Sequence, residues 1–562
     1  MEKLLGIGTS SGVADGPLYL YQPQRTRPQN VIASNSSEQH ARADSAIAQA
    51  KTDLQALYED AAAKGIEEDI AGVFQIQVMM LEDGDFLAAI HAAIEDKHYR
   101  AEYAVHTTAE LFAADLRSLD DAFMAERADD VLDAARRVTD ILTGEQNETL
   151  ANVTARVVLA AENLLPSEVV QLDRTKICAF VTKTGGPGSH ASILARSLGI
   201  PTITALGADF EALQNGVRTM VDGDTGEIVQ NPDMPTISLF AQKMFQHVKD
   251  ERSLQTLKGQ PACTKNGVRI SLTANIALAQ EAKKALAADA EGIGLFRSEI
   301  LYLDAGGTPT EDTLYAAYQQ ALLSMNGRRV VVRILDAGED KNIFFKEFAH
   351  EENPALGRSG LQLLLEHPAL LMVQLRALVR ASAYGNLGIL LPMVSDVSEI
   401  AAVRAMIEQA RQQMAAEGRM VSEHIAIGAA IETPAAAMVA DLIAQHVDFL
   451  SVGTNDLAQY MLARDRKSSH IADQKHPAVL RMLAQIAGTA KAANVPLCIC
   501  GECAADPSLA GFFAAIGVSE LSMAPSAVLK MKKALRALTS ADCRTALIEA
   551  LQVQVKENAD EK

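Results

Sequence analysis

The chain has few cysteines and no long apolar segment, and both shortages restrict what it can be. Six cysteines in 562 residues are too sparse for a disulfide framework, so we expect reduced thiols in a cytosolic protein. The close group of Cys498, Cys500 and Cys503 lacks the fourth ligand that a structural zinc site needs. No run of about 18 apolar residues is present, so no membrane-spanning helix is predicted. Residues 1–8 lack an apolar core, so no signal peptide is expected.

Basic residues are also in short supply relative to acidic ones. There are 51 Lys and Arg against 71 Asp and Glu, a formal net charge of −20. This balance argues against nucleic acid and anionic membrane surfaces as partners. It suits a partner with a basic face, although solubility alone is the simpler explanation of net charge. The length predicts several domains rather than one core.

The hydrophobic pattern divides the chain into four parts. Residues 24–146 have helical periodicity and are rich in Ala, Leu, Glu and Asp, which predicts a helical bundle. Strand-like segments flank this bundle, so it is predicted to be an insertion in a small α/β domain made of residues 1–23 and 147–232. Residues 233–262 are predicted to form a linker helix, and residues 263–562 form the last part.

From residue 263 onward, short apolar segments alternate with helical stretches. Continuous apolar runs are typical of buried parallel strands, and eight such units in about 300 residues fit a (β/α)8 TIM barrel. The fold class is therefore multidomain α/β, with the barrel at the carboxyl end. The predicted strands are Val268–Asn275, Gly292–Glu299, Val330–Asp336, Leu387–Val394, Ala426–Thr433, Val447–Asp456, Val495–Glu502 and Glu520–Ser526.

A glycine-rich loop places His190 directly before a predicted helix, residues 191–198. Gly185, Gly186 and Gly188 allow a sharp bend and close approach to a ligand. A helix N-terminus offers free N–H groups and a partial positive charge, which would stabilise a phosphoryl group on the imidazole. Neutral imidazole is also a suitable nucleophile at cellular pH. Taken alone, such a histidine is more often a helix cap, but the other motifs favour the phosphoryl carrier.

Polar residues at the predicted strand ends form a candidate site for a metal-bound anion. Two converging carboxylates, Glu432 and Asp456, suit Mg²⁺, and Asn455 adds a neutral donor. Cys500 would be a protonated thiol that can donate a proton. Arginine binds phosphate or carboxylate in a bidentate manner. The candidate arginines are Arg297, Arg333 and Arg466. Each residue has an ordinary structural role if taken singly, but their joint placement favours a site for a doubly anionic small molecule.

Several motifs then occur together in one order along the chain. They are G-G-P-G-S-H-A-S-I-L-A-R-S-L around His190, G-I-G-L-F-R-S-E around Arg297, R-I-L-D-A-G from Arg333, E-E-N-P-A-L-G from Glu351, I-E-T-P-A-A around Glu432, S-V-G-T-N-D-L-A-Q-Y around Asn455, A-R-D-R up to Arg466 and C-G-E from Cys500. With them, nearly the whole chain resembles Enzyme I of the bacterial phosphotransferase system, the phosphoenolpyruvate–protein phosphotransferase family.

The resemblance implies a function for each part of the chain. His190 would take a phosphoryl group from phosphoenolpyruvate and pass it to a histidine of the carrier protein HPr, which yields pyruvate in the first step of sugar transport. Mg²⁺ would be held by Glu432 and Asp456, and Cys500 would protonate the enolate. The residues implied to bind phosphoenolpyruvate are Arg297, Arg333, Asn455 and Arg466. The resemblance also implies that the bundle docks HPr, that the barrel forms a homodimer and that the phosphohistidine swings between two sites.

The sequence departs from the family pattern in four places. Ser359 and Gln362 stand where the family has arginines, and Arg358 stands one position early, where we expect it to compensate only in part. Glu339 replaces a glycine, Gln77 replaces a histidine, and the His190 loop reads G-P-G rather than G-R-T. These changes bear on catalytic efficiency and on which carrier is used.

The departures leave alternative functions open. One is a paralogue that serves a fructose or dihydroxyacetone system, and another is a weakly active regulatory phosphorelay protein. Related enzymes that use ATP need an additional ATP-grasp domain of about 200 residues, for which this chain has no room.

Overall fold

The computed structural model describes residues 2–22, 27–63, 68–118, 122–144, 153, 155–164, 175–186, 192, 195, 199–305, 307–338, 353, 357–464 and 473–551. The chain divides into two compact units, residues 1–250 and 251–562. Among the described residues, no helix combines the length and the apolar character needed to cross a bilayer.

The first unit contains a mixed sheet. Its described strands are β1 (Glu2–Leu5), β2 (Ile7–Ser10), β3 (Val13–Tyr21), β4 (Val157–Ala161), β5 (Ile177–Thr182), β6 (Thr202–Thr204), β7 (Arg218–Asp222) and β8 (Glu227–Gln230). Their order in the sheet is β1-β8-β7-β3-β4-β5-β6-β2. The central strands β3 to β6 pair in parallel, and the outer pairs are antiparallel. Strands β4 and β5 are buried along their whole length, as their continuous apolar sequence predicts.

A helical bundle is inserted between β3 and β4, as the sequence predicts. Its described helices are α1 (Ser36–Ala63), α2 (Glu68–Glu82), α3 (Gly84–Lys97), α4 (Ala101–Ser118) and α5 (Ala122–Thr143). Residues three or four apart on α1, from Ala43 to Leu54, are buried against apolar side chains of the other helices. Gln77 lies inside the bundle and donates a hydrogen bond to Asp133 (Nε2 to Oδ2, 2.9 Å).

A tight hairpin with the sequence V-D-G-D-T-G-E-I-V joins β7 and β8, which pair antiparallel. Asp222 stabilises the turn, because its Oδ1 accepts hydrogen bonds from the backbone N–H groups of Asp224 (3.0 Å) and Thr225 (3.2 Å). Burial alone would raise the pKa of this carboxyl, but the ion pair with Lys243 and the two backbone hydrogen bonds together outweigh burial and lower it. Lys243 lies on α6 (Met234–Gln255), which covers most of the predicted linker helix.

The second unit is a closed barrel of eight described parallel strands. They are β9 (Ser271–Ile276), β10 (Ile293–Arg297), β11 (Val330–Arg333), β12 (Leu387–Leu391), β13 (Ala426–Ile431), β14 (Phe449–Gly453), β15 (Leu497–Cys500) and β16 (Glu520–Met523). Each pairs in parallel with the next, and β16 closes on β9. All eight predicted strands are present, and the (β/α)8 prediction is confirmed.

The helices of the second unit follow the strands around the barrel. In the described residues they are α7 (Glu281–Ala287), α8 (Glu299–Asp304), α9 (Glu311–Ser324), α10 (Gly360–Glu366), α11 (Pro368–Ala381), α12 (Val397–Ala416), α13 (Pro434–Met438), α14 (Ala440–Ala444), α15 (Thr454–Leu462), α16 (Pro477–Ala492), α17 (Ala510–Ile516), α18 (Val528–Ala537) and α19 (Ser540–Leu551). They pack with the strands in one large apolar cluster.

The predicted end of β14 was wrong. The sequence pattern carried this strand to Asp456, but it ends at Gly453, and both Asn455 and Asp456 lie in the first turn of α15. The chain turns there because Thr454 is bonded by its side chain rather than by the sheet: its Oγ1 donates to the Cys500 carbonyl (3.0 Å). The side chains remain at the same end of the barrel.

Candidate active site

Five strands bring the predicted barrel residues to one rim. Arg297 and Arg333 are the last residues of β10 and β11 and lie side by side in the ladder. Glu432 follows β13 directly, and Cys500 ends β15 opposite Gly453. Because the strands are parallel, all these residues lie at the carboxyl ends, where barrel active sites form. His190 and Arg466 lie outside the described residues, as do residues 339–352.

Arg333 forms two ion pairs at the rim. Its guanidinium bonds Glu299 (Nη2 to Oε1, 2.8 Å) and Asp336 (Nη1 to Oδ2, 3.0 Å). Burial alone would lower the pKa of the guanidinium, but four nearby carboxylates outweigh burial and raise it. They are Glu299, Asp336, Glu432 and Asp456. The Nε atom of Arg333 is buried and has no hydrogen-bond partner among the described residues.

Glu432 is buried and held in place by the backbone. Its Oε1 accepts a hydrogen bond from the N–H of Met393 (2.7 Å) in the loop after β12. Its Oε2 lies against Gly453, where a Cβ atom would stand only 2.3 Å away. The glycine at the end of β14 is therefore required for the carboxylate to occupy this position.

The pair Glu432 and Asp456 fits Mg²⁺. Both are largely buried, and both lie near enough to Arg333 for their charges to raise the pKa of its guanidinium. In the described part of the chain, no cluster of three or more His, Cys, Asp or Glu side chains would hold a metal ion. Two carboxylates are nevertheless the usual protein contribution to a Mg²⁺ site, which keeps waters and substrate oxygens as its other ligands.

Asn455 is oriented by a residue that the sequence analysis missed. Gln474 donates to Asn455 (Nε2 to Oδ1, 2.9 Å) and accepts from the N–H of Cys503 (3.1 Å to Oε1). The carbonyl oxygen of the Asn455 amide is therefore bonded, and it also accepts from the N–H of Glu502 (3.2 Å). The amide nitrogen is the end of Asn455 that remains as a donor toward a ligand. No sequence pattern marks Gln474, because it lies on a loop 19 residues away.

Cys500 is a buried thiol next to the charged groups of the rim. Its Sγ donates to the carbonyl of Val452 (3.2 Å) and accepts from Ser451 Oγ (3.5 Å). Burial raises the pKa of this thiol, and the charge of Glu432 raises it further, against the opposing effect of Ser451 and two arginines. The thiol is therefore protonated at neutral pH and can act as a proton donor.

The segment that departs from the family pattern lies at the edge of the rim. Gly360 has a φ of +56°, and a Cβ atom there would meet Met393 and Asp336. Gln362 donates to Ser395 (Nε2 to Oγ, 2.8 Å). Arg358 pairs with Glu366 at the far end of α10 (2.9 Å) and is exposed. We expected Arg358 to replace the missing arginines in part. This arrangement does not favour that role, because the guanidinium reaches Glu366 instead of the rim.

A closed parallel barrel whose rim carries arginines, two carboxylates and a thiol is suited to binding a small anionic ligand. Three family models match the chain in order. Their descriptions are PEP-utilising enzyme, N-terminal (residues 5–127), PEP-utilising enzyme, mobile domain (residues 153–226), and PEP-utilising enzyme, PEP-binding domain (residues 251–540).

Several relatives that match over nearly their whole length share one name. The phosphoenolpyruvate-protein phosphotransferase of Bacillus subtilis is 34% identical and covers 97% of this chain and 96% of its own. The proteins of that name from Geobacillus stearothermophilus and Lactococcus lactis subsp. cremoris are 36% and 37% identical, each over 96% of this chain and 93% and 94% of their own. The chain belongs to the phosphoenolpyruvate-protein phosphotransferase family of PEP-utilising enzymes.

Proposed function

We propose that this protein transfers a phosphoryl group from phosphoenolpyruvate to His190 and from there to a histidine of HPr or an HPr-like carrier. The observation that carries the proposal is the common rim on which Arg333, Glu432, Asp456 and Cys500 meet. This set combines a cation for an anionic substrate, a carboxylate pair for a divalent ion and a proton donor. The names of the full-length relatives support the same reaction.

The proposed chemistry assigns a task to each side chain of the rim. Arg297, Arg333, Asn455 and Arg466 bind phosphoenolpyruvate through charge-assisted hydrogen bonds. When bound by Glu432 and Asp456, Mg²⁺ supplies charge stabilisation for the phosphoryl oxygens. The P–O bond to the enol oxygen breaks as a P–N bond to His190 forms. Cys500 then gives its proton to the methylene carbon of the enolate, and the product is pyruvate.

The proposed assembly follows the division of the sequence. Residues 1–23 and 147–232 form the phosphohistidine domain, residues 24–146 the carrier-docking bundle, residues 233–262 the linker and residues 263–562 the substrate-binding barrel. We propose that the barrel forms a homodimer. The net charge of −20 suits a carrier with a basic docking face. A paralogue with a different carrier remains the second candidate, because Gln77 is a buried bundle residue where the family has histidine.

One labelling experiment tests the reaction. The full chain is incubated with Mg²⁺ and phosphoenolpyruvate labelled in the phosphoryl group, and HPr is then added. We expect acid-labile, base-stable label on the chain, release of pyruvate, and transfer of the label to HPr. Absence of label on the chain would overturn the proposal. If the label stays on the chain after HPr is added, phosphorylation by phosphoenolpyruvate is supported, and the carrier is a protein other than HPr.

We expect that Gly453→Ala slows phosphorylation by phosphoenolpyruvate about tenfold to a hundredfold, since displacement of a positioned group by about 1 Å has effects of this size. The new methyl group would stand 2.3 Å from Oε2 of Glu432, so the carboxylate must move. The initial rate of labelling measures the effect. The matched control is Gly488→Ala on α16, where a Cβ atom meets nothing within 4 Å. Wild-type rates in Gly453→Ala would show that Glu432 need not occupy this position.

We expect that Arg358→Ala leaves the KM for phosphoenolpyruvate within about twofold of the wild-type value, because exposed ion pairs contribute little. In this structure its guanidinium reaches Glu366 rather than the rim. Steady-state kinetics of pyruvate release measure KM. Arg297→Ala serves as the positive control and should raise it. A tenfold increase in KM for Arg358→Ala would place this guanidinium in the substrate site.

A further inference from the structure

A buried glutamine on the outer side of the barrel connects the ends of β10 and β11. Gln374 lies on α11 and is only 1% exposed. Its Nε2 donates to Ser298 Oγ (3.0 Å) and to the Tyr318 hydroxyl (2.9 Å), and its Oε1 accepts from the N–H of Leu335 (2.9 Å). One carboxamide therefore bonds three different segments of the chain.

The contacts of Gln374 lie beside the two arginines of the rim. Ser298 directly follows Arg297, and its Oγ donates a hydrogen bond to the Arg333 carbonyl (2.8 Å). Leu335 comes two residues after Arg333, beyond the end of β11. Both arginines are thus tied to the same side chain through short hydrogen bonds that do not involve their guanidinium groups.

These bonds depend on the amide group rather than on bulk. Ser298 uses its only proton for Arg333, so it needs a donor on its other side, and the Leu335 N–H needs an acceptor. Both groups are fully buried, where backbone and hydroxyl groups require partners. A carboxamide supplies two donors and one acceptor at once. A hydrocarbon side chain of the same length would fill the space and supply none of them.

We propose that Gln374 is a positioning residue, which sets the spacing of Arg297 and Arg333 and thereby the affinity of the rim for its anionic substrate. This inference rests on the proposed function, since it takes phosphoenolpyruvate as that substrate. Gln374 itself does not touch the ligand. It acts through Ser298 and through the backbone of residues 333–335.

The test compares Gln374→Met with wild type in steady-state kinetics with phosphoenolpyruvate and Mg²⁺. Methionine keeps the length and most of the volume but removes the three hydrogen bonds. We expect kcat/KM to fall about tenfold to a hundredfold, mainly through KM, because misplaced binding groups have effects of this size. Ser298→Ala breaks one branch of the same link and should give an intermediate KM.

Two variants separate positioning from loss of stability. Leu371→Ala and Leu378→Ala each empty a core position on the same helix without removing any of the three hydrogen bonds of Gln374. Both should lower the thermal midpoint while leaving KM within about twofold, since the substrate-facing links remain.

Three outcomes decide the matter. An increase in KM confined to Gln374→Met and Ser298→Ala supports the inference. An increase in KM that follows the loss of thermal stability in all four variants overturns it, and so does a wild-type KM in Gln374→Met. A wild-type chain that is not labelled by phosphoenolpyruvate would instead overturn the proposed function, and that result is read before any variant is made.

Discussion

Replacing His190 with alanine is expected to abolish phosphorylation of the chain by phosphoenolpyruvate. The imidazole is the proposed acceptor, and alanine has no group that can form the P–N bond. Intact-mass measurement after incubation with phosphoenolpyruvate and Mg²⁺ should show one added phosphoryl group on wild type and none on the variant. Release of pyruvate should stop as well, because one phosphoryl group must be accepted for each pyruvate formed.

The control for His190→Ala is His424→Ala. His424 is an exposed residue ahead of β13, and the Ser422 hydroxyl donates to its backbone carbonyl (2.8 Å), which alanine retains. This variant should be labelled as wild type is. A phosphoryl group that persists in His190→Ala would assign the acceptor to another residue, and the acid and base stability of the label would identify its chemical type.

The second large effect is expected for Glu432→Gln. Glutamine keeps an oxygen for the N–H of Met393 but loses the charge proposed to hold Mg²⁺. The loss of several kcal/mol of charge stabilisation corresponds to about a thousandfold lower kcat/KM. Binding of Mn²⁺, followed by its electron paramagnetic resonance signal, should weaken in parallel, which separates metal binding from turnover.

Glu399→Gln is the matched control for Glu432→Gln. Glu399 lies in the first turn of α12 and, like Glu432, accepts a hydrogen bond from a backbone N–H group in the loop after β12, that of Ser395 (2.8 Å). Its carboxylate is part of the N-terminal cap of α12 and not of the rim. We expect normal turnover and normal Mn²⁺ binding in this variant. If Glu432→Gln turns over within a few-fold of wild type, Glu432 is not a metal ligand.

Much of the barrel could be predicted from the sequence because its strands are buried on both faces. Continuous apolar runs such as that of Leu387–Leu391 are typical of buried parallel strands, and their regular alternation with helical stretches indicates a strand at each of them. The polar residues that follow them then fall at the carboxyl ends by topology alone. The end of β14 was misplaced because the hydroxyl of Thr454, rather than a backbone N–H group, bonds the Cys500 carbonyl at this point. A pattern along the sequence does not show a hydrogen bond between residues so far apart.

The sequence by itself determined the fold class, the insertion of the bundle and the residue types of the candidate site, because each depends on local periodicity or on the ends of strands. Only the tertiary structure decided how those residues are held. Gln374 and Gln474 bond groups far away in the chain, and Arg358 turns to Glu366 although the sequence leaves its direction open. Hydrogen bonds between distant segments depend on distances and angles set by packing, and no spacing along the chain encodes them.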